Sequence, residues 1–133
     1  MPRVVLDTNI LVSALWTPAG NASTIISLVL SDKLVPCFDQ RIINEYRAVL
    51  SRPRLAFPDN QVEELLVEIC GKGLFVVVSP SSVALSDESD RKFFDVAQYC
   101  NAYLITGDIK HYPEDPLIIN PANFLEVIRN RPM

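Results

Sequence analysis

Apolar residues along the chain fall into two patterns that take turns: short unbroken runs, and longer stretches in which they recur every three or four positions. The run at residues 3–7, Arg3-Val4-Val5-Leu6-Asp7, is rich in valine and ends in a carboxylate, which predicts a buried strand. A loop carrying Pro18-Ala19-Gly20 comes next. Residues 23–30 then predict a helix, because Ile25, Ile26, Leu28, Val29 and Leu30 are too crowded for a solvated surface. Residues 34–38 predict a second strand, in which Pro36 removes a ladder donor and points to a strand end or an edge. Helical spacing returns at 40–51, with Ile42, Ile43, Tyr46, Val49 and Leu50, and Pro53 stops it. A further helix at 59–70 is opened by Pro58 and closed by Gly71; its apolar face of Val62, Leu65, Leu66, Ile69 and Cys70 carries no ionisable group, so its purpose reads as structural.

The unbroken run at 74–78 predicts a third strand buried on both faces, the pattern of a parallel sheet. A loop at 80–86 leads to a helix at 89–101, a fourth strand at 102–106 and a fifth at 117–119. Asn120-Pro121 reads as a cap and a first-turn proline for a last helix at 121–129. Strands separated by helices, with no Asn-Gly or Asp-Gly hairpin, predict an α/β fold: a three-layer α/β/α sandwich around a mostly parallel five-stranded sheet. The length of 133 residues fits one domain spanning 1–133.

Composition narrows the chemistry. Hydrophobic residues make up 49% and charged ones 21%, which excludes a disordered or collagen-like chain. No apolar run reaches the roughly 18 residues that span a bilayer, and Met1-Pro2-Arg3 leads straight into the first strand without a signal-peptide core, so the expectation is a soluble, cytoplasmic protein with no membrane association. Cys37, Cys70 and Cys100 are odd in number and widely spaced; they read as buried small hydrophobes. With His111 as its one histidine, the chain is a poor candidate for a zinc cluster or a Ser-His-Asp hydrolase. The remaining chemistry runs on carboxylates. A net charge of −4 argues against a broad nucleic-acid surface without excluding a local one.

In a doubly wound sheet, ligands bind at the carboxyl ends of the strands. Asp7 ends the first strand and Asp108 lies two residues past the fourth, so both sit on that edge, side by side if those strands are neighbours. On the helix after the third strand, about 100° per residue puts Asp90 in line with Phe93, Phe94, Ala97 and Cys100, facing inward, and turns Asp95 toward solvent. Glu45 flanks the buried stripe between Ile42 and Val49 and can reach the same edge. Four acids in one cleft repel one another unless a cation sits among them, and oxygen-only ligation suits Mg2+ or Mn2+. Whether Asp87 joins as a fifth acid stays open.

These residues resemble the PIN-domain family, the PilT N-terminal-like metal-dependent nucleases, and within it the toxin components of toxin–antitoxin pairs. The resemblance rests on Val4-Val5-Leu6-Asp7-Thr8-Asn9, Glu45, Asp90 seven residues before Ala97, Thr106-Gly107-Asp108, and Asn120-Pro121-Ala122-Asn123-Phe124-Leu125. It implies a five-stranded parallel sheet in a single nuclease domain, with Asp7, Glu45, Asp90 and Asp108 holding one or two divalent ions and Asn9 and Thr106 supporting the acids by hydrogen bonding. The implied activity is hydrolysis of phosphodiester bonds in single-stranded RNA by a metal-bound water, by a homodimer that a cognate antitoxin protein neutralises. Arg41, Arg47 and Lys110 are the leading candidates for phosphate contacts, with Arg52, Arg54 and His111 behind them. Trp16 and Tyr112 are candidates for stacking on bases, and apolar residues near Leu15-Trp16 and Ile25 for protein interfaces.

Two other readings fit parts of the pattern. A phosphatase with Asp7 as nucleophile would carry a second aspartate two residues on, where this chain has Asn9. A metal- or partner-binding domain with the same fold and little activity needs none of the chemistry.

Overall fold

The computed structural model describes residues 1–131. Its strands are β1 (Arg3–Leu6), β2 (Val35–Phe38), β3 (Leu74–Phe75), β4 (Tyr103–Ile105) and β5 (Ile118–Ile119). Its helices are α1 (Thr8–Trp16), α2 (Asn21–Leu30), α3 (Gln40–Leu50), α4 (Asp59–Lys72), α5 (Arg91–Cys100) and α6 (Pro121–Arg129), with short 3-10 turns at Pro53–Leu55, Glu88–Asp90 and Ile109–His111. The sheet order is β3-β2-β1-β4-β5, and every pairing is parallel. Right-handed crossovers that run one way from β1 to β3 and the other way from β3 to β4 put helices on both faces, the expected three-layer α/β/α sandwich. Val4, Val5, Leu104 and Ile105 are fully buried at its centre. Among the described residues no helix is long and apolar enough to cross a membrane.

Several elements depart from the sequence expectation. Residues 8–16 form α1 where a loop was expected: Ile10, Leu11 and Ala14 recur at helical spacing and are buried. The predicted third strand is only two residues long, and Leu74, Phe75 and Val77 are exposed. The cause lies next door. Pro36 sits inside β2, not at a strand end or an outer edge, and β3 pairs with β2 only from Cys37 onward, past the residue that has no N–H to give. An unbroken apolar run was here the mark of an edge and not of a strand covered on both sides. Cys70 is exposed, unlike Cys37 and Cys100, and Ile25 is buried in the core, leaving Trp16 as the exposed apolar residue of the proposed interface region.

Asp95 is also buried, contrary to the solvated position expected. Ser81 donates its backbone amide to Asp95 Oδ2 at 3.2 Å, and Arg41 Nη1 of α3 lies 3.7 Å from the same oxygen. Neighbouring chain covers that side of α5 as well as the side facing the sheet. Helical periodicity identifies the two faces of α5 but cannot tell that both are covered.

Candidate active site at the carboxyl edge of the sheet

β1 and β4 are direct neighbours, so the segments that leave their carboxyl ends emerge at one place. Asp7 comes immediately after β1; its amide still donates to the Ile105 carbonyl at 3.0 Å, which fixes the carboxylate on the last rung of the pairing. Tyr46 of α3 donates its hydroxyl to the Leu6 carbonyl at 2.6 Å and holds the strand end from the other side. Asp108 comes after β4, past Thr106 and Gly107. Thr106 is wholly buried, and its hydroxyl donates to Asp7 Oδ2 at 2.8 Å while accepting the Asp108 amide at 3.0 Å. One threonine thereby links two of the acids.

Asp90 ends the 3-10 turn at the head of α5 and is buried. Burial raises the carboxyl above the ordinary carboxylate value, and the charge of Asp87 raises it further, against the opposing effect of His111. Asp7 is raised too, chiefly by burial; the hydrogen bond from Thr106 works against this, and the charges of Asp90 and Asp108 add to it. The three aspartates thus act on one another electrostatically. The Tyr112 hydroxyl lies 3.4 Å from Asp7 Oδ2, and burial together with the charges of Asp7 and Asp90 pushes its phenol far up, so it stays a donor. Asp87 is exposed, accepts from the Ser89 amide and hydroxyl, and is lowered by those bonds; it caps the turn.

Glu45, on α3, is held differently. The Thr8 hydroxyl donates to Oε2, and Lys92 Nζ lies 2.7 Å from Oε1. Asn9 is exposed in the first turn of α1; its backbone amide lowers Asp7, while its side chain makes no hydrogen bond among the described residues. Of the expected phosphate contacts, Arg41 pairs with Asp39 at 2.7 Å and lies beside Asp95, and Arg47 pairs with Glu63 at 3.3 Å; Lys110 is exposed. Tyr112 is buried against the acids and presents no stacking face.

The sequence reading missed Lys92 and the hydrogen bond from Tyr112. A lysine two residues after an inward acid reads as a solvated charge, and only the approach of α3 to α5 shows that it meets Glu45. The acids and hydroxyls at the edge offer oxygens, the ligands a hard divalent cation takes. Asp90 Oδ2 is buried and makes no well-formed hydrogen bond; His111 Nδ1 lies 3.4 Å away and the Tyr112 hydroxyl lies beside the same carboxylate, which has accepting capacity to spare. These features fit a divalent ion. As they stand, no three His, Cys, Asp or Glu side chains among the described residues converge closely enough to ligate one ion, so loading requires side-chain movement. A cleft of about 880 Å³ between α1, α2 and α4 has an apolar floor including Leu15, Ile26 and Leu65 and lies away from these acids.

Fold and site together define a doubly wound α/β protein with two aspartates past the carboxyl ends of its neighbouring strands β1 and β4 and a third, Asp90, brought beside them from the head of α5. Residues 3–110 match the family described as PIN domain. An uncharacterised protein of Methanocaldococcus jannaschii, MJ1680, is 31% identical over 109 residues, covering 80% of this chain and 70% of that protein. The chain belongs to the PIN domain family. Its fold is similar to that of a chain in the crystal structure of VapBC2 from Rickettsia felis bound to a DNA fragment from its promoter, with a TM-score of 0.59 and 17% identity over 89% of this chain and 96% of that one.

Proposed function

We propose that this protein is a divalent-metal-dependent endoribonuclease that hydrolyses phosphodiester bonds in single-stranded RNA, and that it is the toxin of a toxin–antitoxin pair. The observation that carries the reading is that Asp7, Asp90 and Asp108, from three separate segments, lie near enough for the charges of Asp90 and Asp108 to raise Asp7, with a buried oxygen of Asp90 that makes no well-formed hydrogen bond. Asp7, Asp90 and Asp108 would hold a Mg2+ or Mn2+ ion, with Glu45 joining if Lys92 withdraws; whether it does decides between one ion and two. Bound there, the ion would supply charge stabilisation at the scissile phosphate and activation of water. Thr106 keeps Asp7 in place, and Tyr112 donates to the same carboxylate oxygen. Asn9, Arg41, Arg47 and Lys110 retain supporting roles in this reading only where substrate draws them from their present positions.

Support for the partner is the likeness to VapBC2, a complex whose fold neighbour matches most of this chain. The proposal extends to one domain over 1–133, a homodimer, a cognate antitoxin protein and a cytoplasmic setting. The test is cleavage of end-labelled single-stranded RNA by purified protein in Mn2+ or Mg2+ against EDTA, with Asp90→Asn prepared alongside. Metal-dependent cutting that the variant loses is the expected result; equal cutting by both would mean a contaminant. The second reading, a metal- or partner-binding domain of little activity, is favoured by one feature: Lys92 already neutralises Glu45. A folded protein that binds Mn2+ and cuts no RNA would leave that reading standing.

A further inference from the structure

Between the C-terminal end of α1 and that of α3 lies a cleft of about 340 Å³, walled by Asn9, Val12, Trp16, Val49, Arg52 and Arg54. Trp16 is the chain's one tryptophan and is 61% exposed. Phe57, with ring centroids 6.1 Å apart and planes at 59°, steadies the ring without covering it. Both arginines are exposed, and neither makes an ion pair among the described residues, whereas Arg41, Arg47, Arg91 and Arg129 are each paired with a carboxylate. An open aromatic face beside two unpaired guanidiniums combines the two features by which proteins hold single strands: base stacking and phosphate neutralisation.

The cleft also runs along the same two helices that carry Thr8 and Glu45 at the acidic site. Its walls are the two helices that meet where Thr8 donates to Glu45, and Val49 lies one turn beyond Glu45 on α3. Along α1 the rise from Thr8 to Trp16 is about 12 Å at roughly 1.5 Å per residue, or about three nucleotides of a stacked strand at about 3.4 Å each.

We propose that this cleft is a substrate subsite that takes one nucleotide of single-stranded RNA a few positions from the bond to be cut, with its base on Trp16 and its phosphates on Arg52 and Arg54. The subsite rests on the reading of the protein as an RNA-cutting enzyme. It also answers the difficulty of the net charge, because the binding charge is local and not spread over the surface.

Because Trp16 is the only tryptophan, its emission reports on this cleft alone. The experiment titrates an unlabelled oligoadenylate of about eight nucleotides into the full-length protein in EDTA, where binding proceeds without cutting, and tracks the same oligonucleotide, fluorescein-labelled, by anisotropy. Saturable quenching of Trp16 is expected. The Arg52→Gln/Arg54→Gln double variant, altered at exposed positions, should bind about tenfold more weakly and flatten the salt dependence by about 0.7 in the log–log slope for each contact removed. Trp16→Phe should keep most of the affinity, and Trp16→Ala should lose about tenfold. Binding seen by anisotropy with unchanged emission, or arginine variants that bind like the parent, overturns the subsite and leaves the nuclease reading intact. Quenching without any cutting in Mn2+ leaves a strand-binding cleft and overturns both the nuclease reading and the cleft's role as its substrate subsite. Emission that changes with protein concentration in the absence of RNA assigns the patch to a second copy of the chain and overturns the proposal; absence of binding by either signal overturns the subsite too, while cleavage in Mn2+ decides the nuclease reading.

Discussion

The carboxyl of Asp7 carries an opposition between folding and function. Burial raises it, so the native state binds its proton more tightly than the unfolded chain does. In metal-free protein this acid therefore costs stability at neutral pH. The cost is relieved as pH falls through the raised value, and the gain levels off below the ordinary value of 3.8. Asp7→Asn should accordingly raise the urea midpoint at neutral pH, by an amount that shrinks as the solution is acidified. A constant difference at every pH would show that the hydrogen bonds from Thr106 and Tyr112 balance burial, and a loss at neutral pH that they outweigh it. Lys92 carries the complementary prediction. Lys92→Met releases Glu45 from its ammonium partner, and calorimetric titration with Mn2+ should then show several-fold tighter binding or an added site; unchanged affinity and stoichiometry would mean that Glu45 takes no part in holding metal. Asp7 and Asp108 were legible in the sequence as residues of the carboxyl edge because strand ends are marked by where apolar runs stop. Lys92 and Tyr112 were not, since their positions depend on how α5 and the turn at Ile109–His111 approach other segments.

At the level of elements, α5 and β3 show where a pattern read along the chain stops being informative. The stripe through Phe93, Phe94 and Ala97 correctly turns Asp90 inward, but nothing in it announces that residue 81 crosses the opposite face. Asp95 therefore ties a loop to two helices: its partners are the Ser81 amide and Arg41, while Arg91 donates to the Ser81 carbonyl and hydroxyl. Asp95→Asn should cost about 1–3 kcal/mol in urea denaturation, the range for an unsatisfied buried polar group, whereas a solvated Asp95 would give no change. Edge strand β3 depends on close backbone approach. A Cβ at Gly73 would lie 2.5 Å from the Pro36 carbonyl oxygen and against the Phe38 ring, so Gly73→Ala must push β3 away from β2. Its expected cost is about 1–3 kcal/mol by the same measurement, and a neutral result would show that the edge yields freely.

For the whole molecule, alternation of strands and helices was enough to anticipate the sandwich, because parallel connections allow few arrangements. The chain-long agreement has an energetic side. Three acids that disfavour one another in the folded protein should make folding depend on the ion that reconciles them. Saturating Mn2+ at about a hundredfold over its dissociation constant adds about 2.7 kcal/mol, so thermal unfolding in Mn2+ should rise by several degrees over EDTA, and Asp90→Asn should abolish the rise. An equal rise in parent and variant would place the ion elsewhere.

The outermost strands, β3 and β5, pair over two residues each. A foreign chain seeking to lengthen the sheet finds only two rungs on either side, too few to offset the entropy of fixing an extended segment. The first edge ends where the chain leaves β2 after Phe75, and the second where Asn120 starts α6. Exposed Phe75 and Val77 would otherwise invite strand-to-strand stacking. Brevity guards this protein against fibrous self-association, and any lasting assembly with a partner must therefore be made through its helices and loops.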